Sequence, residues 1–469
     1  MKRNIVVFVS ALMTVLTAVV AAGAVYSWLV GEEETYSPGE ITEYAGALDV
    51  SSGVQGDTLT FTLSDGAAQI NAVELSEKTS AVTSFEIYTD SGDMIYASDF
   101  IDGFRYCSFP AVTAGALKLK VTNSDGAFEI ASFKPLRVYP RDTSDFSVMA
   151  YVTADSACRM GEEWRENAET VTRFNLIGNL FFDIEGNLLF DTYDGADDIP
   201  GTGEAIFELA LKNLRALNPD AEIVATILGN RDLTGDGITD TQERHNHAMG
   251  IRNRANFAKN IVSFVEKYEL DGIAFDYEYP SSVLSFSYYS RFITLLRENM
   301  PDKLITAAHS EWNMGIGRVG ESTLDKLDAI ELMSYDLFDS RGNHSTFYTA
   351  YSNIQGAVDK GADREKIDLG LPFYSRPING DAYWGTYANI ADKLEYRENT
   401  LTESYTTDDG VSNTLPNYYN GRQLIYDKTC YALDIGIGGV MIWHFACDST
   451  DPEYSLTQTI ARAIASRSI

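Results

Sequence analysis

Short apolar segments alternate with amphipathic ones from about residue 146 to the C-terminus, and this alternation constrains the fold more than any other feature. The apolar segments include residues 146–152, 176–182, 222–228 and 271–278. Between them, residues 255–268 have the spacing of an amphipathic helix. Repeated β-then-α units predict an α/β fold with a parallel sheet, and over residues 145–469 a closed (β/α)8 TIM barrel is the natural solution. Catalytic side chains are then expected at the carboxyl ends of the barrel strands.

Residues 45–140 have a different pattern, with short runs of β-forming residues separated by turn signals such as Asp90-Ser-Gly92. Short strands at this spacing predict an all-β sandwich that precedes the barrel. The stretch resembles the discoidin-like (galactose-binding-like) jelly rolls, notably where residues 128–139 close it. Such modules often bind sugars. We favour a spacer role here, because the sequence places no aromatic or polar cluster on a rim.

The N-terminal residues 1–30 have the pattern of an export segment. Lys2 and Arg3 precede an apolar run from Ile5 to about Val30, and small residues stand at 22–24. This is the pattern of a secretory signal peptide. An uncleaved membrane anchor is the alternative, because a helix of this length could span the ~30 Å of a bilayer core. Residues 31–44 then form an acidic linker, and both interpretations predict an extracellular or cell-surface protein.

The chain carries 36 Lys and Arg residues against 68 Asp and Glu residues, a formal net charge of -32. Nucleic-acid binding needs clustered basic residues, so a nucleic-acid partner is excluded. A polyanionic polymer is disfavoured as the main substrate, since a like-charged surface repels it. Neutral and cationic polymers remain open.

The most informative segment is residues 268–280, which contains two acids near the end of a predicted strand. Alternation along a strand places Asp276 and Glu278 on the face that lines the barrel, roughly 6–7 Å apart. Two carboxyls this close in a dry pocket cannot both ionise easily, so one pKa should rise, as a general acid requires. A solvated strand end is the alternative. Burying acids inside a barrel costs free energy, however, so a fold retains them where they have a function. Tyr277 and Tyr279 also supply aromatic surface for a sugar ring.

This segment resembles the fourth-strand motif D-G-x-D-x-D-x-E of glycoside hydrolase family 18, the chitinase-like enzymes. Three further segments match that family in the same order. Residues 328–336 match the sixth-strand M-x-Y-D, residues 369–376 resemble the seventh-strand P-F-Y-G-R with Ser375 in place of Gly, and residues 438–448 resemble the eighth strand. The resemblance covers residues 146–465.

The resemblance implies retaining hydrolysis by substrate assistance. Glu278 would act as general acid and then general base, and Asp276 would hold the N–H of the substrate's 2-acetamido group, whose oxygen is the nucleophile. Tyr335 would hydrogen-bond the same group, and Trp443 would stack beneath the ring. The further pocket residues that it implies are Met333, Asp336, Tyr279, Tyr374 and Arg376. Catalysis needs no cofactor or metal, and the substrate is a polysaccharide or glycan containing N-acetylglucosamine (GlcNAc).

Two positions depart from the family pattern. Ala274 replaces the middle Asp of the fourth-strand motif, and Thr226-Ile-Leu-Gly229 replaces the third-strand S-x-G-G. We therefore expect a slower enzyme or a shifted pH optimum. Chitin and chitooligosaccharides are the leading substrates, with an endo-β-N-acetylglucosaminidase acting on N-glycans as the alternative. A peptidoglycan hydrolase fits poorly with the net charge. A non-catalytic GlcNAc-binding lectin is favoured by Ala274 but opposed by Glu278.

A second motif, residues 232–243, has the spacing of an EF-hand-type calcium loop, with Gly237 at the sharp turn. Its oxygen ligands would be Asp232, Thr234, Asp236, Asp240 and Glu243. A structural calcium ion beside the active site is one interpretation, and an acidic surface turn is the other.

The four cysteines are too few to hold a scaffold together. Cys158 and Cys447 follow the first and eighth predicted barrel strands, which are neighbours in a closed barrel. The pair is therefore a candidate for a disulfide in an exported protein.

Overall fold

The computed structural model describes residues 39–191, 199, 201, 203–378, 383–406 and 412–469. The predicted export segment and residues 31–38 of the linker lie outside these residues. Within the described ranges, no helix is long and apolar enough to cross a membrane.

The N-terminal part is built from strands, as predicted. Its strands are β1 (Ile41–Glu43), β2 (Gly46–Leu48), β3 (Ser52–Gly53), β4 (Thr58–Leu63), β5 (Ala68–Glu77), β6 (Val82–Thr89), β7 (Met94–Asp99), β8 (Arg105–Ala114), β9 (Ala116–Ser124) and β10 (Phe128–Val138). One antiparallel sheet has the order β1-β10-β5-β8, with β3 also on β10, and the other has the order β2-β4-β9-β6-β7. Alternate residues of β4, such as Leu59 and Phe61, are buried in one apolar core. The all-β domain is confirmed, whereas its likeness to discoidin modules stays a prediction.

The C-terminal part is the predicted barrel. Its parallel strands are β11 (Ser147–Thr153), β12 (Arg173–Phe182), β14 (Glu222–Leu228), β15 (Gly272–Phe275), β16 (Leu304–His309), β17 (Ala329–Leu332), β18 (Ile367–Pro372) and β23 (Gly439–Trp443). They pair in the order β11-β23-β18-β17-β16-β15-β14-β12, and β11 pairs with β12 to close the barrel. A short antiparallel strand, β13 (Leu188–Phe190), adds to β12. The (β/α)8 TIM barrel is therefore confirmed.

Helices surround the barrel, and the longer ones have an apolar face toward the strands. They are α1 (Ala154–Arg159), α2 (Arg165–Thr170), α3 (Glu204–Leu217), α4 (Thr241–Ala248), α5 (Arg254–Lys267), α6 (Val283–Asn299), α7 (Glu321–Leu324), α8 (Phe347–Asp359), α9 (Arg422–Ile435) and α10 (Leu456–Ala465). In α3 the buried residues Ile206, Ala210 and Leu214 recur at helical spacing. Between β18 and α9, a small antiparallel sheet stands on the barrel. Its strands are β19 (Tyr374–Pro377), β20 (Gly385–Thr386), β21 (Thr400–Thr406) and β22 (Ser412–Tyr418).

Buried charges join the sandwich to the barrel. Asp427 of α9 accepts hydrogen bonds from Arg105 of β8 (3.1 Å) and from the Tyr96 hydroxyl (2.6 Å). On the same helix, Asp434 pairs with Arg467 (2.9 Å) and accepts from the Tyr106 hydroxyl (2.6 Å). The two domains are thus fixed to each other by buried polar contacts.

The predicted disulfide is wrong. All four cysteines belong to the described residues, and all are free. The two thiols have different neighbours: Cys158 donates to the carbonyl oxygen of Ile206 (3.2 Å), and the Cys447 Sγ lies 3.2 Å from His444 Nε2.

Candidate active site

The acidic pair leaves the barrel at the carboxyl end of its fourth strand, β15. All four residues of β15 are buried. At the start of the strand, the Asp271 carboxylate accepts a hydrogen bond from the Ile223 N–H (2.8 Å) and so fixes β15 beside β14. The strand ends at Phe275, three residues earlier than predicted, so Asp276 and Glu278 lie just beyond the sheet. Tyr277 points the other way and stacks on His245 with 3.7 Å between ring centroids.

A cavity of about 150 Å³ opens where the two acids lie. It is lined by Tyr151, Asp276, Glu278, Tyr279, Ala308, Ser310, Met333, Tyr335, Asp336 and Trp443. All of these except Tyr151, Ala308 and Ser310 are site residues that the sequence predicts. The barrel thus gathers residues from its first, fourth, fifth, sixth and eighth strands around one small space.

The two acids differ in their exposure to solvent, and the surroundings of Asp276 raise its pKa. The Asp276 side chain is half-buried, while Glu278 is exposed to solvent. Burial raises the pKa of Asp276 well above its usual range, and the charge of Glu278, a hydrogen bond with Glu278 and the charge of Glu331 raise it further. Among the described residues, no lysine, arginine or histidine forms an ion pair with either acid. The pair can therefore hold a proton at a pH where isolated carboxyls have lost it.

Two phenol groups beside the acids keep their protons for a related reason. Burial raises the pKa of the Tyr335 hydroxyl, and the neighbouring Tyr374, Asp276 and Glu278 charges act in the same direction. Burial likewise raises the pKa of Tyr279. Both hydroxyls thus remain neutral hydrogen-bond donors in the neutral pH range.

The floor of the cavity is apolar. Tyr151, Ala308 and Met333 belong to one buried cluster at the mouth of the barrel, against which Trp443 packs. The rings of Tyr151 and Trp443 meet edge to face, with centroids 5.3 Å apart. Such a surface suits the apolar face of a sugar ring, since the polar groups of the ring lie at its edge.

The rim contains the last predicted residues. Asp336 has a φ of 54°, and its backbone N–H donates to His344 Nε2 (2.9 Å). The Arg376 Nε lies 3.4 Å from the Asp336 Oδ1, and burial, followed by the charge of the same carboxylate, raises the pKa of Tyr374. Tyr374 and Arg376 are outside the cavity lining, so both act on it through Asp336.

Ala274, the departure within the motif, lies in the strand layer below the acids. Ala274 pairs in register with Thr226 of β14 and with Thr306 of β16. Both threonine hydroxyls are buried and have no hydrogen-bond partner among the described residues. Two polar groups thus flank the place where the family motif has a carboxylate.

The sequence interpretation missed Tyr151, Ala308 and Ser310 as lining residues. Tyr151 has an indirect signal, since alternation in β11 places it on the inner face with Met149. Ala308 and Ser310 continue the inner face of β16, but small residues give no chemical signal in a sequence.

The predicted calcium loop is held by hydrogen bonds and by an arginine. The Asp232 carboxylate accepts from the backbone N–H groups of residues 234–237. Asp236 forms a two-pronged pair with the buried Arg244 (3.0 and 2.9 Å), and Thr234 donates to it as well (3.1 Å). Asp240 caps α4 by accepting from the Glu243 N–H (2.8 Å). The part of the chain that the structure describes contains no metal-binding group of three or more His, Cys, Asp or Glu side chains, so calcium binding stays a prediction.

Fold and site together define a (β/α)8 barrel protein with a carboxylate pair at the end of its fourth barrel strand. The sequence model of the glycosyl hydrolases family 18 matches residues 148–448, which is more than half of the chain. The chain therefore belongs to this family.

The chain is similar to several chitinases at low identity. The endochitinase of Manduca sexta is 28% identical over 214 residues, 38% of this chain and 37% of that protein. Chitotriosidase-1 of Mus musculus is 23% identical over 287 residues, 50% of this chain and 60% of that protein. The chain thus spans only part of the length of these relatives. Among solved structures, the GH18 chitinase ChiB from the chitin utilization locus of Flavobacterium johnsoniae is 25% identical with a TM-score of 0.52, covering 68% of this chain and 94% of that chain.

Proposed function

We propose that the protein is an exported glycosidase that cleaves β-1,4 linkages next to GlcNAc in chitin or chitooligosaccharides. The observation that carries the proposal is the pair Asp276 and Glu278, which faces a cavity without a partner cation among the described residues. A buried acid with a raised pKa in a cleft is typical of catalysis rather than of structural pairing. The names of the relatives support a chitin-like substrate, and the net charge supports a neutral one.

The chemistry follows from the groups around the cavity. In the complex with substrate, the proton that the acid pair holds is on Glu278, the exposed acid, and Asp276 is ionised. Glu278 donates this proton to the glycosidic oxygen while the bond from that oxygen to C1 breaks. The carbonyl oxygen of the substrate's 2-acetamido group attacks C1 and forms an oxazolinium ion. Asp276 accepts a hydrogen bond from the acetamido N–H and stabilises the positive charge. Glu278 then takes a proton from water as that water attacks C1 and the bond from C1 to the acetamido oxygen breaks. This second displacement regenerates the 2-acetamido group and restores the original anomeric configuration.

Neutral donors and aromatic surfaces position the sugar. In this proposal the Tyr335 hydroxyl hydrogen-bonds the acetamido oxygen and Trp443 stacks beneath the ring, roles that are supported by the position of both residues in the cavity lining. Trp312 and Trp384 provide further aromatic surface near the cavity, since the side chain of each is 44% exposed. The ring centroid of Trp312 lies 5.0 Å from that of Tyr279, and the ring centroid of Trp384 lies 5.4 Å from that of Tyr374. These positions support an extended oligosaccharide, and the mechanism uses no cofactor.

An endo-β-N-acetylglucosaminidase acting on N-glycans would use the same chemistry, so the alternative concerns the substrate alone. A GlcNAc-binding lectin on this barrel is the second candidate function. The specific observation in its favour is Ala274, because the strand layer below Asp276 lacks the acid of the family motif. The apolar run at residues 5–30 supports export, either as a secreted protein or as one held at the cell surface.

The test compares the wild-type protein with the Glu278→Gln variant on chitooligosaccharides and on a glycopeptide with a GlcNAc core. We expect the wild type to cleave chitooligosaccharides and the variant to lose activity by about 100-fold or more, as removal of a general acid requires. Cleavage of the glycopeptide alone would assign the N-glycan substrate. Sugar binding without cleavage of either substrate would show that the protein is a lectin.

A further inference from the structure

Glu331 of β17 is a buried acid beneath the cavity that the proposed chemistry does not yet use. Its side chain is fully buried. The Tyr151 hydroxyl donates a hydrogen bond to Oε2, and the Asn175 side-chain amide donates another to Oε1 (2.6 Å). Two donors from two different strands thus hold one carboxylate in the middle of the barrel. Tyr151, the first donor, is itself part of the cavity lining.

The strand register connects Glu331 to the proposed catalytic acid through one strand. Ala274 pairs with Thr306, so alternation places Asp276 beside Ala308 on the next strand. Ala308 in turn pairs with Glu331. Because strands tilt in a closed barrel, Glu331 lies one layer below Asp276, and only the strand that carries the small Ala308 separates them.

The nearest cation does not neutralise Glu331. Arg173 projects into the barrel from β12, but its guanidinium pairs with Asp368 of β18 (2.6 Å). Among the described residues, no ion pair reaches Glu331. Its two neutral donors hold it in place and leave its charge to act on the groups above it.

We propose that Glu331 is a positioning residue for the hydrolysis proposed above: its carboxylate fixes the Tyr151 hydroxyl at the cavity and supplies the buried negative charge that β15 does not provide at Ala274. The proposal rests on the proposed function. In this arrangement the buried negative charge below Asp276 comes from the sixth barrel strand instead of the fourth, and it adds to the charge of Glu278.

The direction of its effect on pH dependence follows from charge. A negative neighbour disfavours ionisation, and Glu331 indeed contributes to the raised pKa of Asp276. The titratable or charged groups around the two acids are Glu278, Tyr151, Tyr279, Tyr335, Arg173, Asp368 and Tyr289. Without the Glu331 charge, Asp276 would stay ionised at lower pH. Since Asp276 must be ionised to hold the acetamido N–H, the acid limb of kcat/KM would move to lower pH.

The experiment measures the pH profile of kcat/KM on a chitooligosaccharide for the full chain and for Glu331→Gln, which keeps the shape of the side chain and removes its charge. Glu298→Gln is the matched control, because it removes one negative charge from the exposed face of α6. We expect Glu331→Gln to move the acid limb to lower pH and to reduce kcat about tenfold to a hundredfold, the range for one charge-assisted hydrogen bond. The control should leave both unchanged.

An acid limb that stays in place in a folded Glu331→Gln protein overturns the proposal, even if kcat falls. Should this variant not fold, Tyr151→Phe replaces it. Tyr151→Phe removes the hydrogen bond and keeps the charge, so it should lower kcat with the limb in the wild-type position. If Tyr151→Phe moved the acid limb of kcat/KM to lower pH, the charge of Glu331 would not be what determines the pH of that limb.

A second readout does not depend on the proposed function. The 13C carboxyl resonance of Asp276, assigned by its loss in Asp276→Asn, is titrated in the wild type and in Glu331→Gln. A midpoint at lower pH in the variant supports the effect of Glu331 even in a protein that cleaves no tested substrate. An unchanged midpoint would show that Glu331 does not act on Asp276 and would overturn this proposal. An active Glu278→Gln variant, in contrast, would overturn only the proposed hydrolysis.

Discussion

Two regions of the molecule bury carboxylates, and they do so in opposite ways. At the sandwich–barrel interface, Asp427 is fully buried against Arg105, itself only 2% exposed, and it accepts further bonds from Tyr96 and the Ser108 N–H. At the mouth of the barrel, Asp276 has Glu278 beside it, and the charges of Glu278 and Glu331 both act on it. One acid is neutralised by a cation and the other is surrounded by further acids.

The difference separates structural acids from functional ones. Removing one partner of a buried acid–arginine pair leaves an uncompensated buried charge and destabilises the fold. A group of acids without a cation costs stability, and a fold retains such a group where its protonation is used. The comparison therefore predicts opposite responses to the same kind of substitution.

The largest expected effect is on stability at the interface. Asp427→Ala leaves the buried Arg105 with Asp99 as its remaining acid, 3.8 Å away. We expect a loss of about 3–5 kcal/mol in the free energy of unfolding, the range for breaking a buried ion pair by removing one partner. Activity per folded molecule should be unchanged, because Asp427 lies in α9 on the outside of the barrel. Denaturant unfolding and a rate assay below the transition measure the two quantities.

Lys78→Ala in the sandwich, the domain of Arg105, is the control for Asp427→Ala. The ion pair of Lys78 with Glu129 is largely exposed to solvent, so its loss should cost at most about 1 kcal/mol. Equal losses for the two variants would contradict a structural role for the buried pair.

The second effect is a loss of catalysis without a loss of stability, the reverse of the result expected for Asp427→Ala. Asp276→Asn should lower kcat by about 100- to 1000-fold, as expected when a group that stabilises transition-state charge is lost. The melting temperature should not fall, since Asn removes one of several neighbouring acids and keeps the shape of the side chain. Steady-state kinetics and thermal unfolding of the same preparation test both parts. A destabilised but active variant would make Asp276 a structural acid like Asp427.

A smaller effect is expected at Ala274, where the comparison can be sharpened by adding an acid. Ala274→Asp places a carboxyl between the unpartnered hydroxyls of Thr226 and Thr306, which can both donate to it. We expect kcat to change by about tenfold, the worth of one such hydrogen bond, and the pH profile to move. Ala274→Asn is the uncharged control. If Ala274→Asp alters neither the rate nor the profile, the substitution has no bearing on catalysis.

The sequence predicts the barrel and the acid pair because their signals are local. Alternation in residues 271–278 is enough to place Asp276 and Glu278 on one face, although the strand itself ends at Phe275. The surroundings of the pair are not local. Glu331 meets Tyr151 across 180 residues of sequence, and Arg173 meets Asp368 across 195. Which inward residues touch depends on how the closed barrel staggers its strands, and no segment of the sequence contains that information.

The smallest effect is expected in the loop of residues 232–243. Its acids are an intermediate case, because some of them pair with an arginine and the others, within the described part of the chain, do not. Asp236 already has the Arg244 guanidinium, so a calcium ion would have to compete with an existing ion pair. Calcium binding, if the motif is functional, should therefore add little stability. Excess chelator should lower the melting temperature by about 2 °C, close to 1 kcal/mol for a domain of this size.

Arg244→Gln sharpens the test of the calcium loop, because it removes the competing cation and leaves the carboxylates in place. This variant should be less stable than the wild type, and added calcium should restore part of the loss by neutralising Asp232 and Asp236. A wild-type melting temperature that ignores both chelator and calcium, together with a variant that calcium does not restore, would make the loop an acidic turn held by Arg244. Its acids would then belong with Asp427, as carboxylates whose role is to pair with an arginine.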